Sequence, residues 1–448
     1  MAPSADKRHN LSSAASKLLS TAVNSMVVRG LGPASSVVLT LLLARHFGAE
    51  ITGMFYLLVT LQTCAAMIAR FGFDTSLQRF VGAAAAREDW ALVRGVYFQA
   101  LALSTALSLV LALAMSLSSF WIADTLLHQP GQGSLVIWMS VAIIPFALAG
   151  LHAAMLKALG CPIWGGFIEA AALPVLNITL LAGYWLIKPE ALVIRDIAVV
   201  LFISATVTVL LGRALLLRRM PTTANHRTMP ATQLLQSCVP LLQVEILNYA
   251  ILWLPMLLLG VFADSASAGQ YSIAQRLAGQ LGLIMLVFAG MTSARFAAHY
   301  QAGEFDRMSE LASRTTRGLS LLAIPMALLL LVWPQGLLGL FGEGFIAADW
   351  VLRVLVVGQL VNLMTGPGGY LLAMSGQESA LRNLLSMTAL LTLTLSCWLI
   401  PAFGALGAAW AAAIAMILQN LACCLLVQRR LGLPFFLFLT PVYHRSRP

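Results

Sequence analysis

The amino-acid sequence predicts an all-α polytopic membrane protein with about twelve transmembrane helices in two six-helix bundles. Of its 448 residues, 60% are hydrophobic and 10% are charged, and the mean hydropathy is +0.87, far from the values of soluble domains. The apolar runs reach about twenty residues or more, which is the length of a membrane-crossing helix, whereas a barrel strand needs only about ten. An internal repeat then divides the spans into two halves.

The spans are predicted from apolar runs that end at charged residues or at Gly/Pro breaks. In order they cover 18–46, 51–79, 92–121, 134–159, 163–187, 192–218, 232–262, 266–296, 312–334, 349–374, 379–400 and 404–428. The predicted organisation is an N-terminal tail (1–17), an N-lobe (18–218), a linker (219–231), a C-lobe (232–430) and a C-terminal tail (431–448).

Basic residues orient these spans. Most of the 27 Lys and Arg residues lie in one alternating set of connecting segments, and the positive-inside rule places that set, with both termini, in the cytoplasm. The net charge of +10 is then explained by contact with anionic lipid headgroups, so no nucleic-acid partner is expected. The outer loops are too short for a catalytic domain, and no G-x-x-x-x-G-K-[ST] motif is present, so the protein is expected to be a transporter rather than an enzyme.

The repeat appears when the sequence is shifted by 216 positions. Without a gap, this shift aligns the pairs Gly53/Gly269, Arg79/Arg295, Phe80/Phe296, Glu88/Glu304, Gly150/Gly366 and Gly160/Gly376. An even number of spans separates equivalent positions, so the two halves are parallel and related by an axis along the membrane normal. That arrangement predicts a substrate cleft between two lobes.

Several motifs resemble one family in their order and spacing. They are "LLLARHFGAEITGMFYLL" (41–58) and "FDTSLQRFVGAAAAREDW" (73–90) in the first half, and "GQYSIAQRLAGQLGLI" (269–284), "LFGEGFIAADWVLRVL" (340–355), "YLLAMSGQESALRN" (370–383) and "IPAFGALGAAWAA" (400–412) in the second. From the first span to about Leu431, the chain resembles the polysaccharide-exporting members of the multidrug/oligosaccharidyl-lipid/polysaccharide (MOP) exporter superfamily.

The resemblance implies a MATE-like, V-shaped fold and a flippase of the bacterial inner membrane. Such a protein moves an isoprenoid-diphosphate-linked oligosaccharide, a repeat unit of O-antigen in lipopolysaccharide, of capsule or of exopolysaccharide, to the outer leaflet by alternating access. Its implied partners are this lipid-linked substrate, membrane lipids, and a polysaccharide polymerase and glycosyltransferases. The family has no universal catalytic motif, so the resemblance assigns no catalytic residue.

Three ionisable residues lie near the middle of predicted spans, where each costs about 2.5–3.5 kcal/mol to insert. We predict that Arg29 and Arg276 bind the diphosphate, because guanidinium groups bind phosphate oxygens bidentately. Glu245, the repeat counterpart of Arg29, is predicted to balance this charge in the empty state or to carry a coupling proton. The alternative is an ion pair of Glu245 with one of the arginines that never touches substrate.

Two further groups complete the candidate site. Arg70 and Asp74 lie four residues apart on the second span, hence on one helix face. Arg70 is predicted to bind the headgroup of the substrate and Asp74 to balance charge or take part in coupling; the alternative is an intrahelical ion pair. Close to Glu245, three residues are predicted to contact sugars: Asn248, Tyr249 and Trp253.

A hinge is predicted where Gly30, Gly32 and Pro33 follow Arg29, because glycine and proline loosen a membrane helix beside a cavity. The six cysteines lie in apolar runs without ligand spacing, so neither a metal site nor a cofactor is expected. Coupling is open between membrane potential, H⁺ and Na⁺. The competing function is a multidrug/cation antiporter of the same superfamily, which arginines at mid-depth disfavour.

Overall fold

The computed structural model describes the backbone of residues 5–187, 193–221 and 226–433, and the side chains of 30–186, 193–221, 226–230 and 232–433. Within these ranges all regular structure is helical, as the sequence predicts. The α-helices of the described ranges are α1 (Ala5–Arg70), α2 (Phe73–Ala85), α3 (Trp90–Leu117), α4 (Ser119–Thr125), α5 (Gly133–Val141), α6 (Ile143–Ala158), α7 (Pro162–Gly166), α8 (Ala172–Ile187), α9 (Ile194–Leu217), α10 (Ala231–Phe262), α11 (Ser265–Gln301), α12 (Phe305–Val332), α13 (Pro334–Gly339), α14 (Asp349–Thr365), α15 (Gly368–Met374) and α16 (Glu378–Leu431). A π-helix (Phe167–Ala171) precedes α8, and a 3₁₀-helix (Glu343–Ala348) precedes α14.

Ten helical segments of the described chain are long and apolar enough to cross a membrane. Two of them, Gly30–Ala85 with 56 residues and Glu378–Leu431 with 54, are far longer than one crossing needs. Each contains a glycine with a backbone conformation outside the helical region, Gly48 (φ 74°) and Gly404 (φ 54°).

The chain reverses direction at both glycines. Thr40 Oγ1 and Tyr56 Oη are 2.6 Å apart although 16 residues separate them, a distance of about 24 Å along a straight helix. Similarly, a Cβ added to Gly407 would overlap the carbonyl oxygen of Leu399. Each of these two segments therefore crosses twice, and the ten segments provide the twelve crossings predicted from the sequence.

The second predicted span is interrupted, which the sequence did not predict. Helix α1 ends at Arg70 and α2 begins at Phe73, and the two residues between them, Phe71 (φ 50°) and Gly72 (φ 73°), have left-handed backbone conformations. A Cβ on Gly72 would lie 2.6 Å from the carbonyl oxygen of Cys238 on α10. Glycine is therefore required here by both the turn and the close approach of another helix.

The chain forms two compact units. The first unit contains Met1–Leu39, Gln62–Ser119 and Gly133–Leu242, and the second contains Thr40–Leu61, Phe120–Gln132 and Gln243–Pro448. Segments 40–61 and 120–132, which the sequence prediction includes in the N-lobe, thus belong to the second unit. The division into lobes at residues 218 and 232 follows from the repeat and stays a prediction.

The repeat is visible in the backbone. Helices α7 and α16 begin 216 residues apart, at Pro162 and Glu378, and each follows a left-handed glycine, Gly160 (φ 75°) or Gly376 (φ 69°). In the first unit, buried side chains of α2, α3 and α6 form the core. The core of the second unit includes Phe296 and side chains from α12, α15 and α16.

The equivalent glycines Gly53 and Gly269 are also in direct contact within the second unit. A Cβ on Gly53 would overlap the carbonyl oxygen of Ser265, and one on Gly269 would overlap that of Ala49. The backbones of α1 and α11 therefore touch here, and the absence of side chains permits this approach.

Candidate functional site

Arg276 on α11 lies against an aromatic ring in the second unit. Its guanidinium carbon is 4.0 Å from the centroid of the Tyr56 ring, a cation–π contact. Tyr56 is 4% exposed, and its hydroxyl is hydrogen-bonded to Thr40 Oγ1. The reversal at Gly48 brings Thr40 and Tyr56 together, so the same turn that creates two crossings also fixes the ring beneath the cation.

A cavity of about 180 Å³ opens beside this pair. It is lined by Tyr56, Val59, Thr60, Leu252, Trp253, Met256, Ser272, Gln275 and Arg276. Among these lining residues, all in the described chain, Arg276 carries the one charge. The cavity therefore combines a cation with aromatic, hydroxyl and amide groups, a chemistry that suits an anionic ligand rich in oxygen.

Hydrogen bonds decide which of these polar groups remain available. The hydroxyls of Thr60 and Ser272 donate to the backbone carbonyls of Tyr56 (2.7 Å) and Gly269 (2.8 Å). The indole N–H of Trp253 is buried and has no hydrogen-bond partner within the described part of the chain. Because a buried donor without an acceptor is destabilising by about 1–3 kcal/mol, Trp253 is suited to donate to a ligand oxygen.

A second, larger cavity of about 380 Å³ adjoins the first, and both are lined by Leu252 and Gln275. Gln275 Nε2 donates to the carbonyl oxygen of Leu252 at 3.0 Å, so this pair forms the boundary between them. The lining of the larger cavity comes from α10, α11, α14 and α16. It contains several carboxamides, among them Asn248.

Arg70 and Asp74 come together in the first unit as an ion pair. Arg70 Nε donates to Asp74 Oδ2 at 2.7 Å, and the two side chains are 10% and 26% exposed. A Cβ on Gly150 would lie 2.9 Å from Arg70 Cδ, so the arginine also packs tightly against α6. An ion pair is one of the two alternatives left open by the sequence, although it spans the break between α1 and α2 rather than one continuous helix. The roles of Arg70 in binding the headgroup and of Asp74 in balancing charge stay predictions.

The predicted hinge lies in the first unit, where α1 continues without a break through Gly30, Gly32 and Pro33. A Cβ on Gly32 would overlap the carbonyl oxygen of Ala170 in the π-helix, so this glycine permits a close helix contact. The hinge role stays a prediction. The side chain of Arg29 lies outside the described residues, and its role also stays a prediction.

The predicted residues of α10 are divided between the two cavities. Trp253 lines the smaller cavity and Asn248 the larger one, whereas Glu245 and Tyr249 are half-buried and line neither. The structure thus places Trp253 and Arg276 in the lining of the same cavity, and the role of Trp253 in sugar contact stays a prediction. The roles of Glu245 in coupling and of Tyr249 in sugar contact stay predictions.

Sequence reasoning missed the neutral residues of the site. Those residues are Tyr56, Ser272, Gln275, Tyr271, Gln359, Asn362, Gln419 and Asn420. A search for charged groups passes over carboxamides, although their occurrence inside apolar runs was a usable signal. Tyr56 could not be found in this way, because its position depends on the turn at Gly48.

Comparisons with known proteins agree with this architecture. The sequence profile of the family described as "Polysaccharide biosynthesis protein" matches residues 18–294. The Vibrio cholerae MATE transporter VcmN, in a mutant form, is 14% identical with a TM-score of 0.66, and 93% of this chain and 98% of that one are covered. The inward closed lipid II flippase MurJ is 12% identical with a TM-score of 0.65 and coverages of 93% and 88%.

A third solved structure is a MOP-superfamily transporter from Pyrococcus furiosus, described as having a binding pocket of reverse polarity that suggests a different function. It is 14% identical with a TM-score of 0.62, and 92% of this chain and 94% of that one are covered. No curated protein matches in sequence. At these identities, the solved structures establish a shared fold.

Proposed function

The chain belongs to the polysaccharide biosynthesis protein family, and from that premise we propose that it is a flippase for an isoprenoid-diphosphate-linked oligosaccharide. It is a multi-pass membrane protein with the fold of MOP-superfamily transporters. The proposed cargo is a repeat unit of O-antigen, capsule or exopolysaccharide, moved from the cytoplasmic to the outer leaflet by alternating access. The proposed location is the bacterial inner membrane, with both termini in the cytoplasm.

One observation carries this proposal: Arg276 is the charged residue among those that line its cavity in the described chain. A guanidinium binds phosphate oxygens through a planar pair of N–H groups and retains its charge when desolvated. The Tyr56 ring supports one face of the guanidinium, and a cation held in this way beside a cavity attracts an anionic ligand. Trp253 adds an N–H donor and a surface on which a sugar can stack.

The alternative, a multidrug antiporter for cations, is less compatible with this cavity. An arginine repels a cationic drug, and no acidic residue lines the cavity within the described chain. The Pyrococcus furiosus relative offers a precedent, because the polarity of its pocket is taken as a sign of a different function on the same fold. The family match points in the same direction.

Membrane potential is the proposed energy source. A diphosphate carries about two negative charges. For each charge, outward movement across an inside-negative membrane lowers the electrostatic free energy by about 2.3 kcal/mol per 100 mV. We propose that Arg29 joins Arg276 in binding the diphosphate, and that Glu245 balances their charge or carries a proton when the transporter is empty. A polymerase and glycosyltransferases are the proposed partners.

The test measures export in cells that lack the gene and express a variant. Arg276→Ala is expected to reduce surface glycan at least about tenfold and to accumulate lipid-linked saccharide in the cytoplasmic leaflet, while Arg276→Lys retains part of the activity. Arg295→Ala, which removes an exposed arginine from the same helix, is the matched control and should export normally. Full export by Arg276→Ala would contradict the proposal.

A further inference from the structure

Six carboxamide side chains line the larger cavity of the second unit. They are Asn248, Gln275, Gln359, Asn362, Gln419 and Asn420. They come from four membrane helices, α10, α11, α14 and α16, and no charged residue accompanies them in the lining, which lies entirely in the described chain. Neutral polar groups within a membrane are costly unless they face water or a polar ligand, so their convergence indicates a cavity suited to polar contents.

The carboxamides use little of their hydrogen-bonding capacity within the protein. Three of them donate one N–H to a backbone carbonyl: Asn248 to Val244 (2.9 Å), Gln275 to Leu252 (3.0 Å) and Asn420 to Met416 (2.9 Å). Each of these amides retains a second N–H and a carbonyl oxygen. Gln419 makes no side-chain hydrogen bond within the described chain. The cavity therefore presents donors and acceptors together.

Tyr271 provides an independent sign of a ligand. It is a fully buried residue of α11 that lines the same cavity, and its hydroxyl has no hydrogen-bond partner within the described chain. A buried hydroxyl without a partner destabilises a protein by about 1–3 kcal/mol. A ligand group that both donates and accepts would satisfy Tyr271 and the neighbouring amides at once.

The lining selects the class of ligand. A hydroxyl is both donor and acceptor, like a carboxamide, so a sugar ring with several hydroxyls matches the cavity. A phosphate would require cationic groups, and an apolar drug would leave the amides unsatisfied. The volume of about 380 Å³ lies within the usual range of about 300–1,000 Å³ for small-molecule pockets.

The position of the larger cavity indicates which part of the substrate it binds. Leu252 and Gln275 separate it from the cavity of Arg276, so the two ligand groups would be covalent neighbours. We propose that the carboxamide cavity binds the sugar residue joined directly to the diphosphate, while Arg276 binds the diphosphate itself. This inference rests on the proposed function and adds to it a glycan-binding subsite in the second unit.

The experiment measures dissociation constants of the purified full-length protein in lipid nanodiscs for two probes. One is the lipid-linked saccharide extracted from cells that lack the protein, and the other is undecaprenyl diphosphate, which has no sugar. The variant Gln359→Leu/Asn420→Leu removes two amides at nearly constant volume. Gln428→Leu, which removes an exposed amide from α16, is the matched control.

The double variant is expected to bind the lipid-linked saccharide about tenfold more weakly and to bind undecaprenyl diphosphate within about twofold of the native protein. Gln428→Leu should change neither constant. If the double variant fails to fold, Gln419→Leu is used, because its amide makes no hydrogen bond within the described chain. For this variant, a roughly threefold loss for the saccharide probe alone is expected.

Equal weakening for both probes, or none for either, overturns the glycan subsite. Loss of Na⁺-dependent thermal stabilisation with unchanged saccharide affinity also overturns it, because the amides would then serve a cation. Failure of the proposed function has a different signature, since the native protein would bind neither probe. Native protein that binds both probes equally well retains the proposed function and loses only the sugar subsite.

Discussion

The two units of the molecule use arginine within membrane-crossing segments in different ways. In the first unit, Arg70 is 10% exposed and donates to the carboxylate of Asp74 at 2.7 Å. In the second unit, Arg276 lies 4.0 Å from the centre of the Tyr56 ring and lines a cavity. Arg70 thus forms an ion pair, and Arg276 lies on an aromatic ring and lines a cavity.

The different surroundings of the two arginines indicate different roles. An arginine that donates to a carboxylate uses N–H groups for a contact within the protein, and removing either partner leaves a buried charge without its counter-ion. An arginine that lies on the face of a ring and lines a cavity places its positive charge where an anionic ligand can reach it. We therefore expect the charges of Arg70 and Asp74 to support folding and that of Arg276 to support binding.

The largest effect on stability is expected for substitution of Asp74. Asp74→Leu removes the carboxylate that Arg70 contacts and should lower the free energy of unfolding by about 3 kcal/mol, whereas Arg276→Leu should lower it by less, because Arg276 is half-buried beside a cavity. Thermal unfolding of the purified variants measures both. The double variant Arg70→Met/Asp74→Leu should recover most of the loss. Equal destabilisation at Asp74 and Arg276 would remove the distinction.

A smaller effect is expected at the contact between α1 and α11. Gly269→Ala should lower the free energy of unfolding by about 2 kcal/mol, because its Cβ would overlap the carbonyl oxygen of Ala49. Gly183→Ala on α8 of the first unit is the control, since no atom lies within 4 Å of the added Cβ. The free energy of unfolding of Gly183→Ala should be equal to that of the native protein or slightly higher, because alanine favours a helix more than glycine does. Similar losses in both variants would show that the close contact carries no stability.

The next effect concerns ligand binding in the cavity of the second unit. Trp253→Phe retains an aromatic ring but removes the buried N–H that has no acceptor in the described chain. We expect roughly fivefold weaker binding of lipid-linked saccharide, the effect of one hydrogen bond of about 1 kcal/mol, with thermal stability equal to or slightly above that of the native protein, because a buried donor without an acceptor is removed. A loss of stability without a loss of affinity would assign Trp253 to packing.

The smallest effect concerns the connections outside the membrane, where the units behave alike. Arg227 forms an ion pair with Asp89 in the first unit, and in the second the carboxylate of Glu304 accepts from His299 (2.8 Å) and Arg307 (2.7 Å). These hydrogen bonds lower the pKa of Glu304, with His299 the larger cause.

A lowered pKa stabilises the fold above the pKa that Glu304 has when unfolded, and this contribution is lost as the pH falls through the folded value. Glu304→Gln should therefore melt slightly below the native protein at pH 7, and the two should melt together in acid below the lowered pKa of folded Glu304. A gap between the two melting temperatures that widens in acid would contradict this assignment.

The sequence predicted the helical class and the twelve crossings because hydropathy depends on local composition, and it predicted the repeat because residues such as Gly160 and Gly376 align at one fixed shift. The break at Phe71 and Gly72 was not predictable, since it depends on the carbonyl of Cys238 from a distant helix. Arg276 was found because a charge in an apolar run is costly. Tyr56 and the carboxamides were missed because they are neutral and converge only after folding.

The contact of Gly53 with Gly269 has a consequence for the origin of the chain. Gly53 approaches the carbonyl of Ser265, and Gly269 approaches that of Ala49, and both Gly53/Gly269 and Ala49/Ser265 are equivalent pairs in the repeat. Exchanging the halves leaves this contact unchanged, which is the defining property of an isologous interface between identical subunits. A half-length chain could make the same contact with a second copy of itself, which is the kind of contact that a duplication followed by fusion would preserve.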